Sequence, residues 1–243
     1  MSSHPPGAYG PGEGLSLVQQ AMQAVRDHIR DNDLKVGDTL PGEGHFASQL
    51  GVSRAVMREA FGALAALRHI DVANGRRARV AGIDGSVMAA SLDHAVATSQ
   101  VSISEIWDVR RTLEVRTAEL AAEKRSDEEA ARIVAFAEAM AEAGDDMEQV
   151  TAADVALHQA IAEASRNPFF LNIIRSFGTL MKMAVPAAWQ TRTTDGQRSD
   201  VIARHRALAR AIADRDPAAA RRLMSDHFDR SIDDMLRSAQ LER

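Results

Sequence analysis

Apolar positions recur along this chain at the spacing of a helix face, and only one stretch alternates as a strand would. Leu15, Val18, Met22, Val25 and Ile29 mark a first amphipathic helix ending near Asp31 to Asp33. Gly37, Pro41, Gly42 and Gly44 then interrupt it. Two short helices are predicted next, over 43–50 and 54–68, separated by Leu50-Gly-Val-Ser53. Gly51 can adopt the left-handed turn that ends the first, and the Ser53 hydroxyl can cap the second, which together make a helix-turn-helix pattern. On the second helix, Val56, Ala60, Phe61, Leu64 and Leu67 supply a buried stripe. Ser53, Arg54, Met57 and Arg58 remain near its amino end.

The exception follows. Ile70 to Val72 and Ala78 to Val80 are β-compatible runs around Asn74-Gly75, a strong hairpin signal, so a β-hairpin wing is expected after the second helix. Beyond residue 84 the pattern is helical throughout, with stretches near 85–98, 102–124, 127–143, 147–165, 168–186, 198–214 and 217–240. Asp216-Pro217 opens the last of these, Asp as cap and Pro in the first turn. The fold class is therefore mainly α: a winged helix-turn-helix with a small hairpin, then an all-α antiparallel bundle. The expected organisation is a disordered tail over 1–14, a DNA-binding domain over 15–82, a linker helix over 83–101 and a helical effector-binding domain over 102–240.

Composition narrows the chemistry. The absence of Cys removes disulfides and thiolate metal sites, and any metal must use His, carboxylate or water. No apolar run is long enough to span a membrane and no secretory signal is evident, so a cytoplasmic protein is expected. The net charge of −5 argues against a nucleic-acid partner only as an average. Residues 1–82 carry 9 Lys and Arg against 8 Asp and Glu, and residues 83–243 carry 20 against 26, so the acidity lies in the second part.

Arg54 and Arg58 have two readings: ordinary solvated arginines, or side chains that enter the major groove and donate to guanine or phosphate. A resemblance bears on the choice. Gly37-Asp-Thr-Leu-Pro-Gly-Glu43, Leu50-Gly-Val-Ser-Arg-Ala-Val-Met-Arg-Glu-Ala60 and the Asn74-Gly75 wing resemble the GntR family of transcription regulators. The resemblance implies DNA contacts from Ser53, Arg54 and Arg58, and from the wing at Asn74, Gly75 and Arg76. Two departures stand out: Gly44 replaces an arginine that commonly meets DNA, and Gly42 replaces the serine that would cap the first short helix.

In the second part, Asp154 and His158 lie one helical turn apart and project from one face, as either a surface ion pair or two ligands of a cation. His205 and His227 sit in separate later helices beside apolar positions. Val109-Arg-x-x-Leu-Glu114, Asp154-x-x-x-His158, Asn167-Pro168, His205-Arg-Ala-Leu208 and His227 resemble the FCD ligand-binding domain of the FadR subfamily of GntR regulators. That resemblance implies a divalent metal, zinc or nickel by donor preference, on Asp154, His158, His205 and His227. It also implies an effector-facing role for Arg110, for which an ion pair with Glu114 is the equal alternative. Trp189 either lines the same cavity or belongs to the core. The function expected is a homodimeric repressor whose operator binding is controlled by a small organic acid or sugar acid. The alternative is a metal-dependent hydrolase using the Asp/His site.

Overall fold

The computed structural model describes residues 14–241, with side chains described as far as residue 231. The tail expected over 1–14 lies, except for Gly14, outside the described residues. The chain divides into two compact units, Met1–Ile83 and Asp84–Arg243.

The first unit holds α1 (Leu17–Asp31), α2 (Glu43–Leu50), α3 (Arg54–Ala66), β1 (Ile70–Asp71) and β2 (Arg79–Val80). Ser16 and Gln19 form a capping box at the start of α1, which leaves Leu15 ahead of the helix and exposed; Ala21 and Val25 are its buried centre. Gly51 ends α2 in the left-handed conformation, φ +67°, and the Ser53 hydroxyl accepts from the Val56 N–H at 3.3 Å to start α3. The buried face of α3 differs from the expected one. Met57 lies fully inside with Ala60, Phe61 and Leu64, at spacings of three, four and seven, whereas Leu67 is the C-cap residue and is exposed.

The wing is shorter than its sequence suggests. Only Ile70 opposite Val80 and Asp71 opposite Arg79 pair, and residues 72–78 form the loop. Within it the Arg76 N–H donates to the Ala73 carbonyl at 3.2 Å with Gly75 at φ +71°. Asn74 keeps a negative φ, so this is a type II turn and not the tight I′ hairpin that Asn-Gly favours. A third segment holds the wing: Val80 N–H donates to Asp38 O, Leu40 N–H to Ala78 O and Gly37 N–H to Val80 O. Residues 37–40, which read as a mere helix break, lace β2 along its free edge.

The second unit is helical: α4 (Ser86–Ala97), α5 (Ile103–Lys124), α6 (Asp127–Glu142), α7 (Met147–Ala164), α8 (Pro168–Ser176), α9 (Gly178–Gln190), α10 (Asp195–Ala213) and α11 (Pro217–Leu241). Capping boxes at Ser102, Ser126 and Thr194 fix the starts of α5, α6 and α10. The stretch expected as one helix over 168–186 is two. Phe177 closes α8 and opens α9 while its ring is buried in the core, and α9 continues through Pro186 to carry Trp189. Similarly, the Thr194 cap starts α10 at Asp195, three residues before the apolar pattern becomes visible. Helix α5 packs on α7, α10 and α11, and α7 also meets α6, α8 and α9, so α5, α7, α10 and α11 surround one core that includes Leu157, Ile161, Leu208 and Phe228.

Helix α4, expected as a linker, packs on α8 and α9 within this unit. Gly85 precedes it at φ +79°, and a Cβ there would lie 2.5 Å from the Asn172 carbonyl oxygen. Backbone meets backbone, so no side chain can yield. Gly85→Ala is therefore expected to cost about 2–4 kcal/mol from left-handed strain plus overpacking. Gly144→Ala, at φ +56° with nothing within 4 Å, should cost only about 1 kcal/mol. Denaturant melts of the two variants check this, and equal losses would show that α4 does not need the close approach.

Candidate metal and effector site

Asp154 and His158 project from the inner face of α7, His205 from α10 and His227 from α11. Asp154 is 8 % exposed, His158 and His205 2 % each. One nitrogen from each of the three imidazoles lies within 4.8 Å of the others, a spacing at which a single cation can be shared. Asp154 Oδ1 lies 3.3 Å from His205 Nε2 and 3.9 Å from His158 Nε2.

For two of the rings, His205 and His158, the hydrogen-bond partner of Nδ1 assigns the roles of the two nitrogens in the neutral form. His205 Nδ1 lies 2.8 Å from the Val201 carbonyl, which only accepts, so Nδ1 carries the hydrogen and Nε2 presents a lone pair in the neutral ring. His158 Nδ1 likewise contacts the Glu114 carboxylate, again leaving Nε2 as the acceptor. Both bare nitrogens face the Asp154 carboxylate. His205 Nε2 makes no hydrogen bond despite its nearness to Oδ1. Converging acceptors out of water repel one another unless a cation lies among them, so the donor set fits a divalent metal.

Without a metal, protons take the place of the cation in the electrostatics of the set. Burial alone would raise the Asp154 carboxyl, but a hydrogen bond from a protonated His205 and the positive charge of protonated imidazoles outweigh it and hold the group well below the ordinary carboxylate range. With the rings neutral, a bound cation would have to supply that charge. Burial, then the neighbouring His205 and His158, hold His227 well below the usual imidazole value, which keeps it neutral. For His158, burial disfavours the cation, but the Glu114 carboxylate prevails and raises it, so a bound metal would have to displace the Nε2 proton for that nitrogen to ligate.

Glu114 is the residue that sequence reasoning undervalued. It is 1 % exposed and is held by both His158 and Arg110, whose Nε donates to Oε1 at 2.7 Å. A carboxylate behind a ligating imidazole fixes its orientation and raises its basicity. Arg110 realises the ion pair with Glu114 and also lines the cavity beside the histidines; its guanidinium stacks 4.9 Å from the Trp107 ring centre and 5.3 Å from that of Phe228. The cavity measures about 40 Å³, and Trp189, 5 % exposed, forms part of its wall. Trp107 and the buried Arg192 line it too, and neither stood out in the sequence. For Trp107 the signal was available, since Trp107, Arg110 and Glu114 share one face of α5 at spacings of three and seven.

In the first unit, Ser53, Arg54 and Arg58 are exposed at the amino end of α3, and Asn74, Gly75 and Arg76 are exposed at the wing tip. The Arg54 guanidinium lies over Gly44, 3.6–3.9 Å from where a Cβ would be, and Arg58 Nε sits 3.8 Å from Glu43 Oε2. Gly42 makes no side-chain cap for α2, as its composition requires. No helix among the described residues is long and apolar enough to cross a membrane.

Comparison with known proteins agrees with both halves. Residues 17–80 match the model of the gntR family of bacterial regulatory proteins, and residues 105–230 match that of the FCD domain. The Glc operon transcriptional activator of Escherichia coli K12 is 30 % identical over 236 residues, covering 95 % of this chain and 92 % of its own. The transcriptional repressor NanR of Cronobacter sakazakii is 26 % identical over 216 residues, 87 % of this chain and 82 % of its own. Among solved structures, a GntR protein of Streptococcus agalactiae superposes with a TM-score of 0.60 at 24 % identity, over 87 % of this chain and 97 % of that one, and shows the same fold. These relatives are regulators, and the hydrolase alternative has no support: Glu114, the carboxylate touching His158, is committed to Arg110 rather than poised as a base. With an N-terminal helix-turn-helix for DNA and a C-terminal FCD domain for an effector, the chain belongs to the GntR family of transcription regulators, in its FadR-type subfamily.

Proposed function

We propose that this regulator is a metal-dependent acid sensor, in which a small carboxylate entering the cavity beside Asp154, His158, His205 and His227 changes the affinity of two symmetry-related helix-turn-helix units for an operator. The observation that carries this reading is the convergence of bare imidazole nitrogens and a carboxylate at the wall of a buried cavity. A zinc or nickel ion held there supplies charge and one or two open coordination positions for a carboxylate oxygen. Arg110 adds a fixed cation at the same wall, and Glu114 holds Arg110 and His158 in register. The four ligands come from α7, α10 and α11, so a ligand bound among them biases how three helices pack.

At the DNA side, Arg54 and Arg58 are the proposed readers and Ser53, Asn74, Gly75 and Arg76 the proposed backbone or groove contacts. A homodimer follows from the two-fold symmetry with which helix-turn-helix proteins meet paired half-sites. The relatives include both an activator and repressors. Repression, with the acid releasing the operator, is the sense proposed for this chain.

Two outcomes are expected. Arg54→Ala and Arg58→Ala should each weaken specific operator binding by about 1–3 kcal/mol without loss of helical signal. Unchanged affinity in gel shifts for both would remove α3 as the reading helix. Purified protein should hold one divalent metal per chain; His205→Ala should lose most of it, and Glu114→Gln should weaken it by about 10- to 100-fold. Chelation should lower the melting temperature, because the ligands tie separate helices together. Elemental analysis finding no metal after incubation with zinc or nickel, with no shift in melting, would reject the site.

A further inference from the structure

The cavity is small and has a donor with nothing to donate to. Its volume of about 40 Å³ is room for roughly three waters, since one water needs ~10–15 Å³ measured this way. Its walls are not built to give. Trp189 packs in a cluster with Met140, Val150 and Val201, and Trp107 is pinned under the Arg110 guanidinium. Trp107 is 5 % exposed, and its indole Nε1–H, a donor only, has no hydrogen-bond partner among the described residues. A buried N–H left unpaired costs stability, and the side chain lines the space a ligand would enter.

We propose that Trp107 is an effector-binding residue, donating its indole N–H to an oxygen of the acid, and that Trp189 and Met140 limit that acid to a chain of two or three carbons. This rests on the reading of the cavity as the effector site and deepens it by naming the ligand class. The acid's oxygens replace the few waters the cavity can hold; Arg110 supplies the opposite charge and Trp107 the directional donor. A six-carbon sugar acid exceeds a cavity of about 40 Å³.

The test uses the full chain loaded with zinc or nickel, with binding followed by calorimetry and operator release by gel shift. The probes are glycolate and lactate against gluconate. Wild type is expected to bind the two- and three-carbon acids and not gluconate. Trp107→Phe, which keeps the ring under Arg110, should weaken glycolate by about tenfold or more, with metal content checking that the site is intact. Trp189→Leu should begin to admit gluconate. Gluconate binding as tightly as glycolate to wild type overturns the size limit, and unchanged glycolate affinity in Trp107→Phe overturns the donor role; in both cases an acid that still releases DNA leaves the sensor reading standing. If no acid of either size binds, the sensor reading itself falls.

Discussion

The constraint on which the second domain turns is the packing of one carboxylate against imidazole lone pairs away from water. Asp154, His158, His205 and His227 come from three helices, the first three almost wholly withdrawn from solvent and His227 partly so, and the outer nitrogens of His158 and His205 are fixed by Glu114 and Val201 as donors, not acceptors. In the neutral-ring form, what these four side chains turn toward one another is therefore a carboxylate and imidazole lone pairs. Burying such a set without compensation is unfavourable by several kcal/mol, and breaking a buried pair typically costs about 3–5 kcal/mol. A cation bound there would reverse the sign of the problem, turning mutual repulsion into an attraction between α7, α10 and α11. The Arg110–Glu114 pair adds a second set of charges from α5, tied to the first through the contact of Glu114 with His158.

This arrangement explains why the chemistry of the cavity and the packing of the domain are inseparable. Arg110 is at once the partner of Glu114, a stacked cation between aromatic rings and a wall of the cavity. Under the proposed function, a ligand engaging Arg110 would be felt through Glu114 at His158. No separate relay is needed, because the site is built from the same side chains that hold the helices. In the DNA-binding domain, by contrast, the side chains proposed to read DNA are exposed: Arg54 lies over Gly44 and Arg58 sits 3.8 Å from Glu43.

Much of this was legible in the sequence. The helix-turn-helix followed from Gly51 and Ser53, whose conformational and capping roles are local, and the mainly helical second half followed from its 3.6-residue period. What escaped depended on partners distant in sequence. The lacing of residues 37–40 onto the wing joins segments some forty residues apart, and the division of α8 from α9 turns on Phe177 preferring the core to a continuous helix. Met57 read as a surface residue because its place at the amino end of α3 resembles that of its arginine neighbours; only the packing under Phe61 and Leu64 reverses it. At the site, the four proposed ligand positions were named by resemblance, whereas Glu114 was read only as an ion-pair partner, Trp107 was passed over despite sharing a face with it, and Arg192 gave no signal.

The central claim is that acid, metal and operator are linked through one cavity. Because coupling free energy is reciprocal, the direct measurement is the affinity for the acid with and without operator DNA, taken on both the metal-loaded and the chelated protein. The account predicts that, in the metal-loaded form, operator DNA weakens acid binding by the same factor by which acid weakens operator binding, and that this factor falls to one after chelation. Acid affinity that is indifferent to DNA in the metal-loaded protein would contradict it.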